Sequence, residues 1–279
     1  MKIAVLSGKG GTGKTFVGVN LAYVATDATY IDCDVEEPNG RLFFKPENSK
    51  TKTVNTMLPV FDAEKCIECR KCVDFCKFNA LVFIKDKPTI FPIVCHSCGG
   101  CSLVCPSGAV TEIEREIGVV EYGTSKAVNV VTGVLNPGEM SGVPIIEAAL
   151  EMRGIKDEIT IIDCPPGSGC SVMETVMESD YSVLVAEPTA FGLHNFKMVH
   201  ELVTVLGKPC GVIINKTEDD YSPLAAFCEE KNIKVLARIP YNEKLALIGA
   251  KADIAAEEDE AAKAMFLELL ETIRKEAQK

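Results

Sequence analysis

Ser7-Gly-Lys-Gly-Gly-Thr-Gly-Lys-Thr15 is the stretch from which the fold is read. It follows Lys2-Ile-Ala-Val-Leu6, a short apolar run that reads as a fully buried first strand. After it, Phe16 to Tyr23 carries apolar residues at helical spacing. A strand, a glycine-rich turn and a helix in that order build a phosphate cradle. Gly8, Gly10, Gly11 and Gly13, with Thr12 among them, let the backbone curl so that successive N–H groups point at phosphate oxygens. The helix N-terminus adds its partial positive charge. Lys14 can reach the β- and γ-phosphates, and the Thr15 hydroxyl can take a place on Mg²⁺. The competing reading is an ordinary glycine-rich turn, which the match of Gly8 to Thr15 with G-x-x-x-x-G-K-T in this context disfavours.

A chain of 279 residues with 47% hydrophobic content can bury the core of one large α/β domain, or of a domain with an insert. No apolar run approaches the length needed to span a bilayer, and the first residues read as a strand rather than a signal peptide. The expectation is a cytoplasmic protein with no membrane anchor. A net charge of −11 argues against a nucleic-acid partner, which needs clustered basic surface. The absence of tryptophan and an aromatic content of 6% argue against base-stacking platforms.

Thirteen cysteines are many for a reducing compartment, where such residues bind metal or do chemistry more often than they pair. Eight lie between residues 66 and 105. Cys66, Cys69, Cys72 and Cys76 follow C-x2-C-x2-C-x3-C, and Cys95, Cys98, Cys101 and Cys105 repeat it 29 residues later. The repeat extends past the cysteines, with Cys76 to Leu81 answering Cys105 to Val110. This resembles the bacterial two-cluster ferredoxin pattern, in which the fourth cysteine of each run binds the other cluster. The resemblance implies one [4Fe–4S] cluster on Cys66, Cys69, Cys72 and Cys105, and a second on Cys95, Cys98, Cys101 and Cys76. The spacing puts three thiolates on one tight turn and the fourth in a following short helix. Cys105 is followed by Pro106 as in that pattern, but Cys76 by Lys77, which bears on the potential of one cluster rather than on binding. Paired zinc sites are the competing account, disfavoured because the repeat lacks the usual zinc spacer. His96 is read as a neighbour of the cluster, not a ligand.

Lys9, a second lysine inside the glycine-rich loop, makes the pattern K-G-G-x-G-K-T. That pattern resembles the deviant Walker A motif of the MinD/Mrp/nitrogenase iron protein family, and the resemblance extends over essentially the whole chain. It implies that Lys9 reaches across a homodimer formed on ATP binding to the partner's nucleotide. Asp32-Cys-Asp34, ending an apolar run from Thr29 and leading to Pro38-Asn39, resembles the family's switch I. Asp34 would then orient or deprotonate the attacking water and sense Mg²⁺; a solvated turn aspartate is the bland alternative, and Asp32 is read as structural. Ile159 to Asp163 is an apolar strand ending in aspartate, the Walker B arrangement, so Asp163 would hold Mg²⁺ through water. Pro165-Pro166-Gly167 resembles Mrp-type members and implies that the Gly167 N–H can turn to the γ-phosphate. Cys170 occupies a position used by a cluster ligand in the nitrogenase iron protein, but without an evident second ligand it is read as a buried thiol. Cys33, Cys164, Cys210 and Cys228 are read as small core residues.

Val119-Val-Glu-Tyr122 and Val128-Asn-Val-Val131, separated by a Gly-Thr-Ser turn, suggest a hairpin, and Val143 to Met152 a helix. Ser182 to Ala186, Gly211 to Asn215 and Lys234 to Ile239 read as further strands. Asn215-Lys-Thr-Glu218 resembles a base-binding loop in which a guanine-pairing Asp is replaced by Glu218, so ATP is favoured, with Asn215 on adenine and Arg238 to Tyr241 closing over it. The bland alternative for Asn215 is a strand-end cap. The acidic tail from Asp253 to Lys279 reads as a helix packed on the domain rather than a basic membrane helix.

The expected fold is α/β, a doubly wound, mainly parallel sheet of P-loop NTPase type, with an inserted α+β bacterial-ferredoxin-like domain. The divisions are 1–59 and 117–279 for the ATPase domain and 60–116 for the insert. The leading functional expectation is ATP-gated electron transfer through two [4Fe–4S] clusters to a redox partner. The alternatives are an Mrp-type iron–sulfur carrier serving an acceptor protein, and a MinD-like positioning ATPase with structural clusters.

Overall fold

The computed structural model describes residues 1–152, 159–217 and 222–279. Its strands are β1 Lys2–Leu6, β2 Thr29–Asp32, β3 Glu47–Phe61, β4 Leu81–Ile84, β5 Lys87–Ile90, β6 Val110–Ser125, β7 Val128–Leu135, β8 Thr160–Asp163, β9 Tyr181–Ala186, β10 Cys210–Thr217 and β11 Lys234–Pro240. Among the described residues nine of them form one sheet in the order β11-β10-β9-β1-β8-β2-β7-β6-β3. From β11 to β7 every neighbouring pair is parallel; β7–β6 and β6–β3 are antiparallel. The parallel part matches the doubly wound α/β expectation.

Strands covered on both faces read as continuous apolar runs, and β9 is buried at every position. Alternation then divides them between two layers. Ile3, Val5, Tyr30, Ile161 and Val183 face one, with the helices Lys14–Ala25 and Glu260–Ala277. Ala4, Leu6, Ile31, Ile162 and Leu184 face the other, with the helices Val143–Glu151, Cys170–Met177 and Ala190–Val205. The helix Lys14–Ala25 is buried on nearly all sides because the sheet covers one face and the C-terminal helix another. That C-terminal helix buries Phe266, Leu269, Leu270 and Ile273 and is capped by Asp259, whose side chain accepts from the Ala262 N–H at 2.8 Å. Among the described residues no helix is long and apolar enough to cross a membrane.

Three local expectations are corrected. Gly123-Thr-Ser125 lies within β6, and the hairpin turns instead at Lys126 and Ala127, both at positive φ (51° and 62°), as a two-residue turn matching the strands' twist requires. Cys170 is exposed, because the helix it begins starts at the rim of a crevice. Cys33, Cys164 and Cys228 are buried as expected, but Cys210 at the start of β10 is partly exposed.

The paired arms β3 and β6 lead away to the segment with the eight clustered cysteines. That segment holds two short helices, Lys71–Phe75 and Gly100–Leu103, and the two-stranded antiparallel β4–β5. The helices carry the third cysteine of each run, Cys72 and Cys101, rather than the fourth: the cysteine spacing lets one helical turn close before Cys76 and Cys105.

Candidate functional site

The carboxyl ends of β1, β8, β2, β9 and β10 converge on one crevice, the place where open parallel sheets bind ligands. Ser7 to Thr15 runs out of β1 into the helix Lys14–Ala25. Gly11 and Gly13 have φ of 79° and 94°, and a Cβ on Gly13 would lie 2.2 Å from Asn215 Nδ2. A side chain at Gly13 would therefore be excluded both by the turn and by what packs under it. The crevice beyond the loop has a volume of about 820 Å³ and is lined by Lys9, Gly10, Gly13, Lys14, Thr15 and Asp34, with Glu36, Pro165 and Ser171 among its further walls.

Lys14 is 6% exposed, and its ammonium lies 2.6 Å from Asp163 Oδ1 and 3.7 Å from Asp34 Oδ2. Burial pulls the ammonium down, but Asp163, followed by Asp34 and Asp32, outweighs burial and holds it well above its ordinary value. The cation is therefore permanent. Asp163 is fully buried at the end of β8 and accepts from the Tyr30 hydroxyl through Oδ2 at 2.7 Å. Asp32 is fully buried too; its oxygens accept from the Asp34 N–H at 3.1 Å and the Gly40 N–H at 2.8 Å, which shapes the turn that presents Asp34. Burial, and after it the Asp163 charge, pushes Asp32 up to about 8. Burial also raises Asp34, against the pull of Lys14.

Gly167 has φ of 98°, and its N–H donates to the Ser7 carbonyl at 2.9 Å, tying the segment after β8 to the glycine loop. Asn215 is 6% exposed and donates to the Thr12 carbonyl at 2.7 Å, so here it supports the loop from below. Glu218 lies outside the described residues. Tyr241 is half-exposed just past β11. Lys9 is ion-paired with Glu187 of its own chain and lies 5.5 Å from the ring centroid of Phe191. Lys216 bonds the same Glu187 at 2.8 Å and the Gly11 carbonyl at 2.6 Å. Burial raises the Glu187 carboxyl, but Lys216 and Lys9 outweigh it and hold it below its ordinary value.

The chemistry of this set fits a magnesium–nucleotide. Thr12 Oγ1 is buried with no hydrogen-bond partner among the described residues, a donor on the phosphate loop still to be satisfied. The crevice holds a fixed cation, two carboxylates and a backbone cradle at a helix N-terminus. Sequence reasoning missed Tyr30 and Glu187. Both had a signal: Tyr30 stands two residues before Asp32 on one strand face, and Glu187 is an acid just past a buried strand's carboxyl end.

In the cysteine-rich segment, Cys76, Cys95, Cys98 and Cys101 line one cavity of about 220 Å³, with Phe75, Phe78 and Leu81 among its walls. Burial raises the Cys101 thiol to about 11, and Cys95 and Glu112 push the same way. Burial likewise raises Cys72, with the Cys105 and Cys66 thiols adding to it. The Ser97 N–H donates to Cys95 Sγ at 3.4 Å, and His96 stacks on Phe78 with ring centroids 3.8 Å apart. Among the described residues no three His, Cys, Asp or Glu side chains converge to hold a single metal ion. Four thiols around a largely apolar cavity, with His96 and Glu112 also on its walls, suit a polynuclear iron–sulfur group, whose thiolates sit on separate irons.

A family model described as CobQ/CobB/MinD/ParA nucleotide binding domain matches residues 3–253. The chain is 34% identical over 220 residues to the uncharacterized protein MJ0578 of Methanocaldococcus jannaschii, covering 77% of this chain and 78% of that one. It is 35% identical over 81 residues to the pyruvate synthase subunit PorD of the same organism, covering 27% of this chain and 92% of the subunit. Among solved structures it is similar to the septum site-determining protein MinD from Pyrococcus horikoshii complexed with Mg-ADP, with a TM-score of 0.59, covering 97% of this chain and 94% of that one. At 18% identity, that likeness shows the fold.

Proposed function

The chain belongs to the CobQ/CobB/MinD/ParA family of nucleotide-binding domains, and from that premise we propose that it is a Mg²⁺-dependent ATPase carrying two [4Fe–4S] clusters. Its cycle of ATP binding and hydrolysis gates electron transfer to a partner protein. The observation that carries the ATPase reading is Lys14 held between Asp163 and Asp34 at the floor of the crevice, beneath the glycine loop.

On ATP, Lys14 and the backbone N–H groups of Gly10 to Thr15 neutralise charge on the β- and γ-phosphates. Thr15 and Asp163 would hold Mg²⁺, the aspartate through water. Asp34, presented by the Asp32 turn, positions the attacking water. Gly167 is bonded to Ser7 and would exchange that bond for a γ-phosphate oxygen. Asn215 supports the loop at Thr12 and would contact adenine. Lys9 would leave Glu187 and cross to the nucleotide of a second copy, so that ATP binding makes a homodimer.

The insert is assigned to residues 60–116, between the ATPase segments 1–59 and 117–279. Cys66, Cys69, Cys72 and Cys105 would hold one cluster and Cys76, Cys95, Cys98 and Cys101 the other. The shared cavity of the second set, and the influence of both Cys105 and Cys66 on Cys72, support that crossed assignment. The clusters supply low-potential one-electron chemistry; the chain's part is to ligate them, to tune them by N–H···S bonds such as Ser97 to Cys95, and to shield them with Phe75 and Phe78. The match to a pyruvate synthase subunit favours a partner among oxidoreductases.

Hydrolysis by the full chain, anaerobically reconstituted with iron and sulfide, tests the ATPase reading. Wild-type protein should hydrolyse ATP only with Mg²⁺, and Lys14→Ala should lose about 10²–10³-fold in kcat. Lys14→Ala also strands a buried carboxylate, at roughly 3–5 kcal/mol of stability, so Lys14→Arg, which keeps the charge, separates geometry from folding. Undiminished turnover in both variants would refute the role of Lys14. Rapid transfer of iron and sulfide to an apo-acceptor would replace electron transfer with cluster delivery.

A further inference from the structure

Tyr30 takes no part in the phosphate cradle, yet it is seated on the carboxylate assigned to the metal. It lies in β2, is fully buried, and donates its hydroxyl to Asp163 Oδ2 at 2.7 Å. The other oxygen, Oδ1, accepts from Lys14 at 2.6 Å. The two donors differ in kind. Lys14 has alternative partners, Asp34 at 3.7 Å and the phosphates of a bound nucleotide, so it can leave Oδ1. Tyr30 is neutral and confined, and it stays on Oδ2.

The confinement comes from packing. The Tyr30 ring stands 5.2 Å from the Phe44 ring, centroid to centroid, and against the backbone of Gly40, where a Cβ would lie 2.2 Å from the tyrosine's Cε1. Gly40 in turn donates its N–H to Asp32. The parallel register sets Asp32 opposite Asp163, so Tyr30, two residues earlier on the same face, reaches towards the end of the neighbouring strand.

We propose that Tyr30 is a positioning residue: its hydroxyl holds Oδ2 of Asp163 so that Oδ1 is presented to the Mg²⁺ of the bound nucleotide once Lys14 moves to the phosphates. This rests on the magnesium–nucleotide reading of the crevice. A donor that merely satisfied a buried oxygen would affect stability alone; a positioning donor sets how the site responds to the metal.

The test is a titration of the full chain with a fluorescent ATP analogue, with and without Mg²⁺, in wild type and Tyr30→Phe, beside thermal melting without nucleotide. Affinity without Mg²⁺ should stay within about twofold of wild type, while the Mg²⁺ concentration for half-maximal tightening should rise about 10-fold, the scale seen when a partner of a metal ligand is removed. An unchanged Mg²⁺ response, or equal losses with and without Mg²⁺, would overturn the proposal. Should Tyr30→Phe not fold, Gly40→Ala displaces the ring while leaving the hydroxyl in the chain, and the same two outcomes decide. A wild-type protein whose binding ignores Mg²⁺ overturns the metal reading itself, and Tyr30 then has nothing to position; that result is seen before any variant is made.

Discussion

Lys14 stands among Asp163, Asp34 and Asp32, and because Asp32 is fully buried with its carboxyl raised, its proton balance enters the stability of the chain. Asp32 is raised from 3.8 to about 8, by burial first and then by Asp163, against the pull of Lys14 and of the N–H groups of Gly40 and Asp34. Between these values the folded chain keeps a proton that the unfolded chain releases. Stability from this group is thus present below about pH 4 and is lost as pH rises towards 8. Asp32→Asn lacks this titration. Denaturant unfolding of wild type and variant at pH 5 and pH 8 should show wild type losing stability relative to the variant, by at most about 1.4 kcal/mol per pH unit; parallel changes would refute the shift. The residues that motifs define, Lys14 and Asp163, were legible in the sequence and meet in the crevice as the loop and strand pattern implied. Tyr30 and Glu187 left only a positional signal, a strand face shared with Asp32 and a place past a strand's carboxyl end; their partners Asp163 and Lys9 stand far off in the chain, and only the strand order brings them together.

The parallel strands were the most legible elements, since each is a short apolar run with turn residues after it. β3 was not legible: Glu47 to Thr53 is polar, exposed and without alternation. It is a strand because β6 pairs with it, which is tertiary information. The cysteine spacing gave the repeat but misplaced the short helices by one cysteine, because the turn that closes before Cys76 and Cys105 is set by backbone bonds such as Cys76 N–H to the Val73 carbonyl. The crossed ligation belongs to this scale and can be tested by non-additivity. Cys76→Ser and Cys95→Ser should each cost up to half the bound iron, and the double variant no more than either alone. Cys76→Ser with Cys66→Ser should cost nearly all of it. The reverse pattern, with Cys76 additive to Cys95 and not to Cys66, would show uncrossed sites.

Across the whole molecule, the segment with the clustered cysteines and the crevice are joined by paired strands. β6 leaves Cys105 behind, pairs with β7, and β7 pairs with β2, whose end leads to Asp34. A shift at Asp34 on nucleotide binding therefore has a hydrogen-bonded route through β7 and along β6 to the cysteine-rich segment. The most direct measurement is an anaerobic redox titration of the reconstituted protein followed by electron paramagnetic resonance, with and without Mg-ATP. Coupling energies between sites are typically about 1–3 kcal/mol, so ATP gating predicts two reducible centres whose midpoint potentials move by some tens of millivolts or more on adding Mg-ATP. Two centres whose potentials and spin coupling ignore Mg-ATP would contradict it.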